Sequence, residues 1–346
     1  MAYASITKPS LHFNTKLYTG NSSAGHAITG VGFQPDFVWI KDRGTSINHS
    51  LFDAVRGIKK EINSNANTAE ETEHDMLTAF GTDGFTLGTA GGVNGNSNNY
   101  ASWNWKANGA GSSNTDGSIN TTYTSVNTTA GFSISSYTGT GANATFGHGL
   151  GAKPEWVIIK NLSSTTDWRG YFDREGNSKS TALNTSGASG SGSDYWNSTS
   201  PTSSVVSIGT NTGLNASGSN YIAYCFTPKT GYSKMGKYKG NGSLDGTFVY
   251  CGFKPSLVII KDADNAGENW FIFDNKRPGR NFNANLLNPN SSTTETTSGA
   301  NGIDILSNGF KCREDNNGTN RSGAGFNYLA IGQSIVGSNN IPAVAR

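Results

Sequence analysis

The chain has 346 residues, of which 34% are hydrophobic and 14% charged, with a formal net charge of +2. That length is generous for one domain and comfortable for three. A near-neutral balance without a basic run or a basic amphipathic stretch argues against nucleic-acid binding and membrane insertion. Gly, Ser, Thr and Asn replace the missing hydrophobics, yet 11% aromatic residues and regular apolar segments point to a folded, turn-rich all-β chain.

In chain order, residues 1–12 read as an N-terminal arm, with Met1-Ala2-Tyr3-Ala4-Ser5 unlike a signal peptide. Residues 13–106 carry candidate strands at Lys16–Thr19, Ala27–Val31, Phe37–Lys41, Ser50–Ala54, Phe85–Leu87 and Tyr100–Trp105. Thr68 with Glu71 reads as a capping box that opens a short helical turn towards Phe80. Residues 107–130 form a linker too long for an ordinary loop, either flexible or pinned on a neighbour. A second unit covers 131–226, a short link 227–235, a third unit 236–332, and a polar tail 333–346. The shorter link predicts closer packing of units 2 and 3 than of units 1 and 2.

The units are defined by repetition. Pro35-Asp36-Phe37-Val38-Trp39-Ile40-Lys41 returns as Pro154-Glu155-Trp156-Val157-Ile158-Ile159-Lys160 and as Pro255-Ser256-Leu257-Val258-Ile259-Ile260-Lys261. Tyr18, Tyr137 and Tyr238 precede these copies at matching offsets (137 − 18 = 154 − 35 = 119; 238 − 137 = 255 − 154 = 101). Phe52-Asp53, Phe172-Asp173 and Phe273-Asp274 follow, then Asp83-Gly84-Phe85, Thr212-Gly213-Leu214 and Asn308-Gly309-Phe310. Asn99-Tyr100, Asn220-Tyr221 and Asn327-Tyr328 close each unit. Landmarks in one order, three times, predict three tandem antiparallel β-sandwiches of jelly-roll type. Each signature strand is apolar at four successive positions, so both of its faces must be covered by loops, another unit or another subunit.

Candidate chemistry is sparse. Asp53, Asp173 and Asp274 recur without a partner acid, which suits turn capping or a buried pair with Arg better than glycoside hydrolysis. Glu70, Glu71, Glu73, His74 and Asp75 lack the alternating pattern of a calcium loop and read as solvated surface. His148 sits in a turn with no nucleophile nearby, and Cys225, Cys251 and Cys312 read as buried thiols. No cofactor or metal site is expected. Tyr195-Trp196, in a loop of small residues, is the best candidate for an exposed aromatic pair that meets a glycan or a partner.

The segment Gly32–Lys41, the linker Ser113–Ile119 and the stretches Tyr238–Lys261 and Leu306–Lys311 resemble repeat proteins of tailed bacteriophages, particularly short-tailed marine ones. Such proteins are described as tail-fibre or virion structural proteins, some with concanavalin A-like sandwich domains. The resemblance implies a non-enzymatic component of the virion surface, made in the host cytoplasm. Its implied partners are tail or capsid proteins, further copies of itself, with trimers favoured, and host surface glycan. Repeats that begin near the N-terminus, with no preceding anchoring domain, favour capsid decoration as the alternative to a tail fibre. A carbohydrate-active enzyme on the same fold is the third reading.

Overall fold

The computed structural model describes residues 4–72, 74–297 and 300–334. Glu73 and the tail from residue 335 lie outside them, as do Met1–Tyr3 of the arm.

Three large antiparallel sheets share one strand order. In the first, Phe13–Thr19 pairs with Asn99–Trp105, then Phe37–Asp42, then Ser50–Asp53. In the second the order is Phe132–Thr138, Asn220–Phe226, Trp156–Asn161, Arg169–Phe172. In the third it is Ser233–Lys239, Gly325–Gly332, Pro255–Asp262, Trp270–Asp274. The signature strand is central each time, which is why its residues carry no polar alternation. A smaller antiparallel sheet covers one face of each: His26–Thr29, Gly84–Leu87 and Leu77–Gly81; Ala144–Gly147 with Val205–Ile208; Phe248–Tyr250, Gly309–Cys312 and Ile303–Leu306. The fold is all-β, a set of antiparallel sandwiches.

The two faces of each signature strand have different neighbours. Val38 and Ile40, Val157 and Ile159, Val258 and Ile260 fill three separate cores, each between a large sheet and its small one. Phe37, Trp39, Trp156, Ile158, Leu257 and Ile259 meet in a single cluster drawn from all three large sheets. All twelve residues are at most 2% exposed. Of the covers expected, the neighbouring sheets are the ones observed, arranged as a ring about a common apolar centre.

Main-chain bonds close that ring. Glu70 N–H donates to Leu162 O at 3.0 Å, Ser189 N–H to Ala263 O at 2.9 Å, and Glu295 N–H to Arg43 O at 2.8 Å. First joins second, second joins third, third joins first, so the shorter link creates no privileged pair. The 107–130 segment is pinned: Tyr123–Asn127 adds a strand to the second sheet and Ile119 is buried against Phe146. The expected turn after Thr68 is instead two strands, Glu71–Thr72 and Leu77–Gly81. Sheet pairing beyond the local stretch overrides the capping pattern. Among the described residues no helix is long and apolar enough to cross a membrane.

Candidate functional site

The signature lysines point inward. Lys41, Lys160 and Lys261 are fully buried. Each ammonium is held by carbonyl oxygens: Lys41 by Asp42 and Thr45 at 2.6 and 3.1 Å, Lys160 by Asn161, Thr166 and Asn67 at 2.8, 3.0 and 3.2 Å. Lys261 donates to Glu268 O at 2.9 Å and Ser186 O at 3.4 Å. Asn67 and Ser186 belong to the preceding unit, so Lys160 and Lys261 each stitch two units together, while Lys41 bonds carbonyls of its own unit. Burial lowers all three lysines to about 8, with the neighbouring carboxylates Asp42, Asp167 and Asp262 pulling the other way.

The recurring aspartates separate into two kinds. Asp53 pairs with Arg56 at 2.5 Å and Asp274 with Arg277 at 2.6 Å, every side chain at most 2% exposed. Both carboxylates also accept backbone N–H groups of the turn that follows. Asp173 is different. It bonds Lys153 at the surface and the Tyr171 hydroxyl. The sheet register explains this: the residue opposite Phe37, Trp156 and Leu257 is Asp53, Phe172 and Asp274 respectively. Phe172, not Asp173, occupies the equivalent position.

Two other landmarks shift in the same way. Tyr18, Tyr137 and Tyr238 stand opposite Tyr100, Tyr221 and Phe326, stacked with centroids 5.0, 5.1 and 5.1 Å apart. Phe326 therefore replaces Tyr328 in that series. Thr212-Gly213-Leu214 begins the one-turn helix Thr212–Asn215, whose counterparts are Gly91–Asn94 and Asn317–Asn320. The motif missed in the sequence is Gly-x-Asn at Asn94, Asn215 and Asn320. Each buried amide accepts a backbone N–H from the glycine turn (Asn21, Thr140 or Asn241) and donates back to carbonyls around it.

The Tyr195-Trp196 pair is not an exposed platform. Trp196 is fully buried, with Nε1 donating to Lys179 O at 2.7 Å and its ring against Tyr171. Tyr195 is half-buried beneath Arg169. The small residues around them wrap the indole because they lack bulk to fill the core themselves. In the former acidic cluster, His74 lies between Glu61 and Glu71 at 3.2 and 3.0 Å, and Asp75 caps Thr89. His148 is buried on Thr202 O. The three cysteines are free and buried.

Exposed chemistry gathers instead on the third sandwich. Phe248–Tyr250 is the edge strand of its small sheet, with Phe248 and Tyr250 pointing outward. Lys234 Nζ lies 5.3 Å from the Tyr250 ring centroid and donates to Tyr250 O at 2.7 Å. A groove of about 740 Å³ runs past Tyr250 and continues into one of about 270 Å³, the two sharing Lys254 and Gln333. The alternation Phe248-Val249-Tyr250 carries the edge-strand signal in the sequence.

No curated protein matches the chain. One family model spans all three sandwiches without a break, matching residues 8–334. The chain thus belongs to the family described as "Domain of unknown function (DUF7483)".

Proposed function

We propose that this chain is a structural protein of a phage virion surface, a tail- or fibre-associated component that acts by assembly and not by catalysis. The observation that carries the proposal is the use of its polar groups. The recurring lysines, two of the three recurring aspartates and the buried asparagines all bind the chain to itself, and they make one block from three sandwiches. Such a block presents loops and edges in fixed relation, which suits repeated contacts on a particle. Its partners would be other virion proteins, further copies of itself and host surface glycan.

The ring favours a second reading, capsid decoration. One chain already offers three similar faces about a centre, the arrangement for which a trimer was expected, and local threefold positions on a capsid could receive it. Mass spectrometry of purified particles, with gold-labelled antibody against the chain, tests both. Label on the tail supports the first reading and label over the shell the second. Absence from mature particles overturns both, and release of reducing sugar from host polysaccharide overturns the non-enzymatic part.

A further inference from the structure

We infer that the cavity in the first sandwich walled by Glu61, Glu71 and His74 holds a divalent metal ion, zinc by preference. Glu61 and Glu71 face each other across the strand pair Lys60–Asn63 and Glu71–Thr72. Like charges directly opposite repel. Among the described residues the only base in ion-pair reach of either is His74, whose Nδ1 lies 3.2 Å from Glu61 and whose Nε2 lies 3.0 Å from Glu71. One imidazole offsets at most one of the two charges. Glu61 is 4% exposed, and burying a carboxylate without full compensation is costly.

The other two sandwiches show that the fold asks for none of this. By register Glu61 corresponds to Ser180 and Leu286, and the residues opposite those are Gly190 and Thr296. Ser50 corresponds to Arg169 and Phe271. Arg169 packs on Gly213 and Phe271 on Gly318, in the one-turn helices of their units. Ser50 is too short to fill the same space over Gly92. A cavity of about 420 Å³ opens there, lined by Ser50, Gly92, Glu61, Asn63, Glu71 and His74. Ser50 is 2% exposed, and its hydroxyl meets no hydrogen-bond partner among the described residues.

Each part of the site has a use around a cation. One atom from each of Glu61, Glu71 and His74 lies within 4.8 Å of the others. Bonds of about 2.0–2.2 Å then need only small turns of Glu71 and His74, both partly exposed. Asn63 Nδ2 already orients Glu61 by donating to its Oε1 at 2.8 Å. The cavity admits the ion and the water that completes a three-residue site, and the Ser50 hydroxyl can bond that water. Carboxylates alone would suit calcium or magnesium; the imidazole moves the preference to zinc. The ion would brace the first junction, because Glu70, next to Glu71, makes the main-chain bond to Leu162.

This inference stands apart from the virion reading. Chelator-treated full chain is dialysed against zinc, calcium and magnesium in turn, and bound metal is read by elemental analysis. Expected is one zinc per chain, held more tightly than calcium or magnesium, with a melting temperature that rises with zinc. Loss of a group that only orients a ligand costs roughly 10–100-fold. Glu71→Ala and His74→Ala, which remove ligands, should therefore each weaken zinc at least about tenfold and flatten the thermal response. Both side chains reach the surface, so the variants should fold as the native chain does. Three results would overturn the inference: no zinc bound, zinc affinity unchanged in both variants, or calcium bound as tightly as zinc.

Discussion

The Tyr224 hydroxyl donates to the Asp53 carboxylate at 2.7 Å, linking the second sheet to the first across the shared core. Trp103 Nε1 does the same for Asp274 at 3.1 Å, linking the first sheet to the third. By register, Trp103, Tyr224 and Leu329 are equivalent. At the third junction the donor position holds Leu329 and the acceptor position Phe172, both in the apolar cluster. Hydrocarbon holds both the donor and the acceptor position there, so neither side carries an orphan polar group.

Asp53→Asn should therefore be severe. It removes charge from a buried carboxylate that serves Arg56 and Tyr224, and breaking one side of such a pair costs about 3–5 kcal/mol. Asp173→Asn, at a solvated pair with Lys153, should cost under about 1 kcal/mol. Urea unfolding of the two variants would show equal losses if the register assignment were wrong.

Trp196→Ala should lower stability by about 3–5 kcal/mol through loss of burial and a cavity. An exposed platform would cost almost nothing on truncation, so thermal unfolding separates the two cases.

The lysines and the thiols pull stability in opposite directions with pH. Burial lowers Lys41, Lys160 and Lys261 to about 8, so between 8 and 10.5 the unfolded chain holds protons that the folded chain has shed, and stability rises with pH. Burial raises Cys225 and Cys251 to about 12 and Cys312 to about 11, so above 9 the folded chain keeps protons the unfolded one loses, and stability falls. A difference measurement isolates the first effect. Native protein should gain on Lys160→Met in chemical denaturation from pH 7.5 to 10; parallel profiles would contradict it.

Asn215→Ala should cost about 2–3 kcal/mol, because it leaves the Thr140 N–H and the Ala142 and Gly209 carbonyls without the amide that joins them. Hydrogen exchange should rise first in the Gly139–Ala142 turn. Protection unchanged there would remove the asparagine from that role.

The strands and the double burial of the signature were readable because four apolar residues in succession have no wet side. Register was harder. Tyr328 and Phe326 differ by two positions and share a face, so alternation cannot distinguish them. Asp173 matched Asp274 in its offset from the proline (19 residues in each), but Asp53 lies at 18. The pairing shows that the third hairpin holds the extra residue. The fate of the Tyr195-Trp196 loop and the groove on the third sandwich depend on chain segments far apart in sequence, which no local pattern brings together.

The ring has a consequence for synthesis. Each large sheet needs the others to cover its inner face, and the main-chain bond from Glu295 to Arg43 joins segments 252 residues apart (295 − 43). A chain growing at roughly 5–20 residues per second would complete the strand ending at Trp105 and then wait for the strand ending at Gly332, 227 residues later (332 − 105). For about 10–45 s at that pace Trp103, whose indole bonds Asp274 of the third unit, would lack that cover, whereas Phe37 and Trp105 gain Tyr224 and Phe132 when the second unit is made. Nascent chains in that interval are the form of this protein most exposed to aggregation and to chaperones.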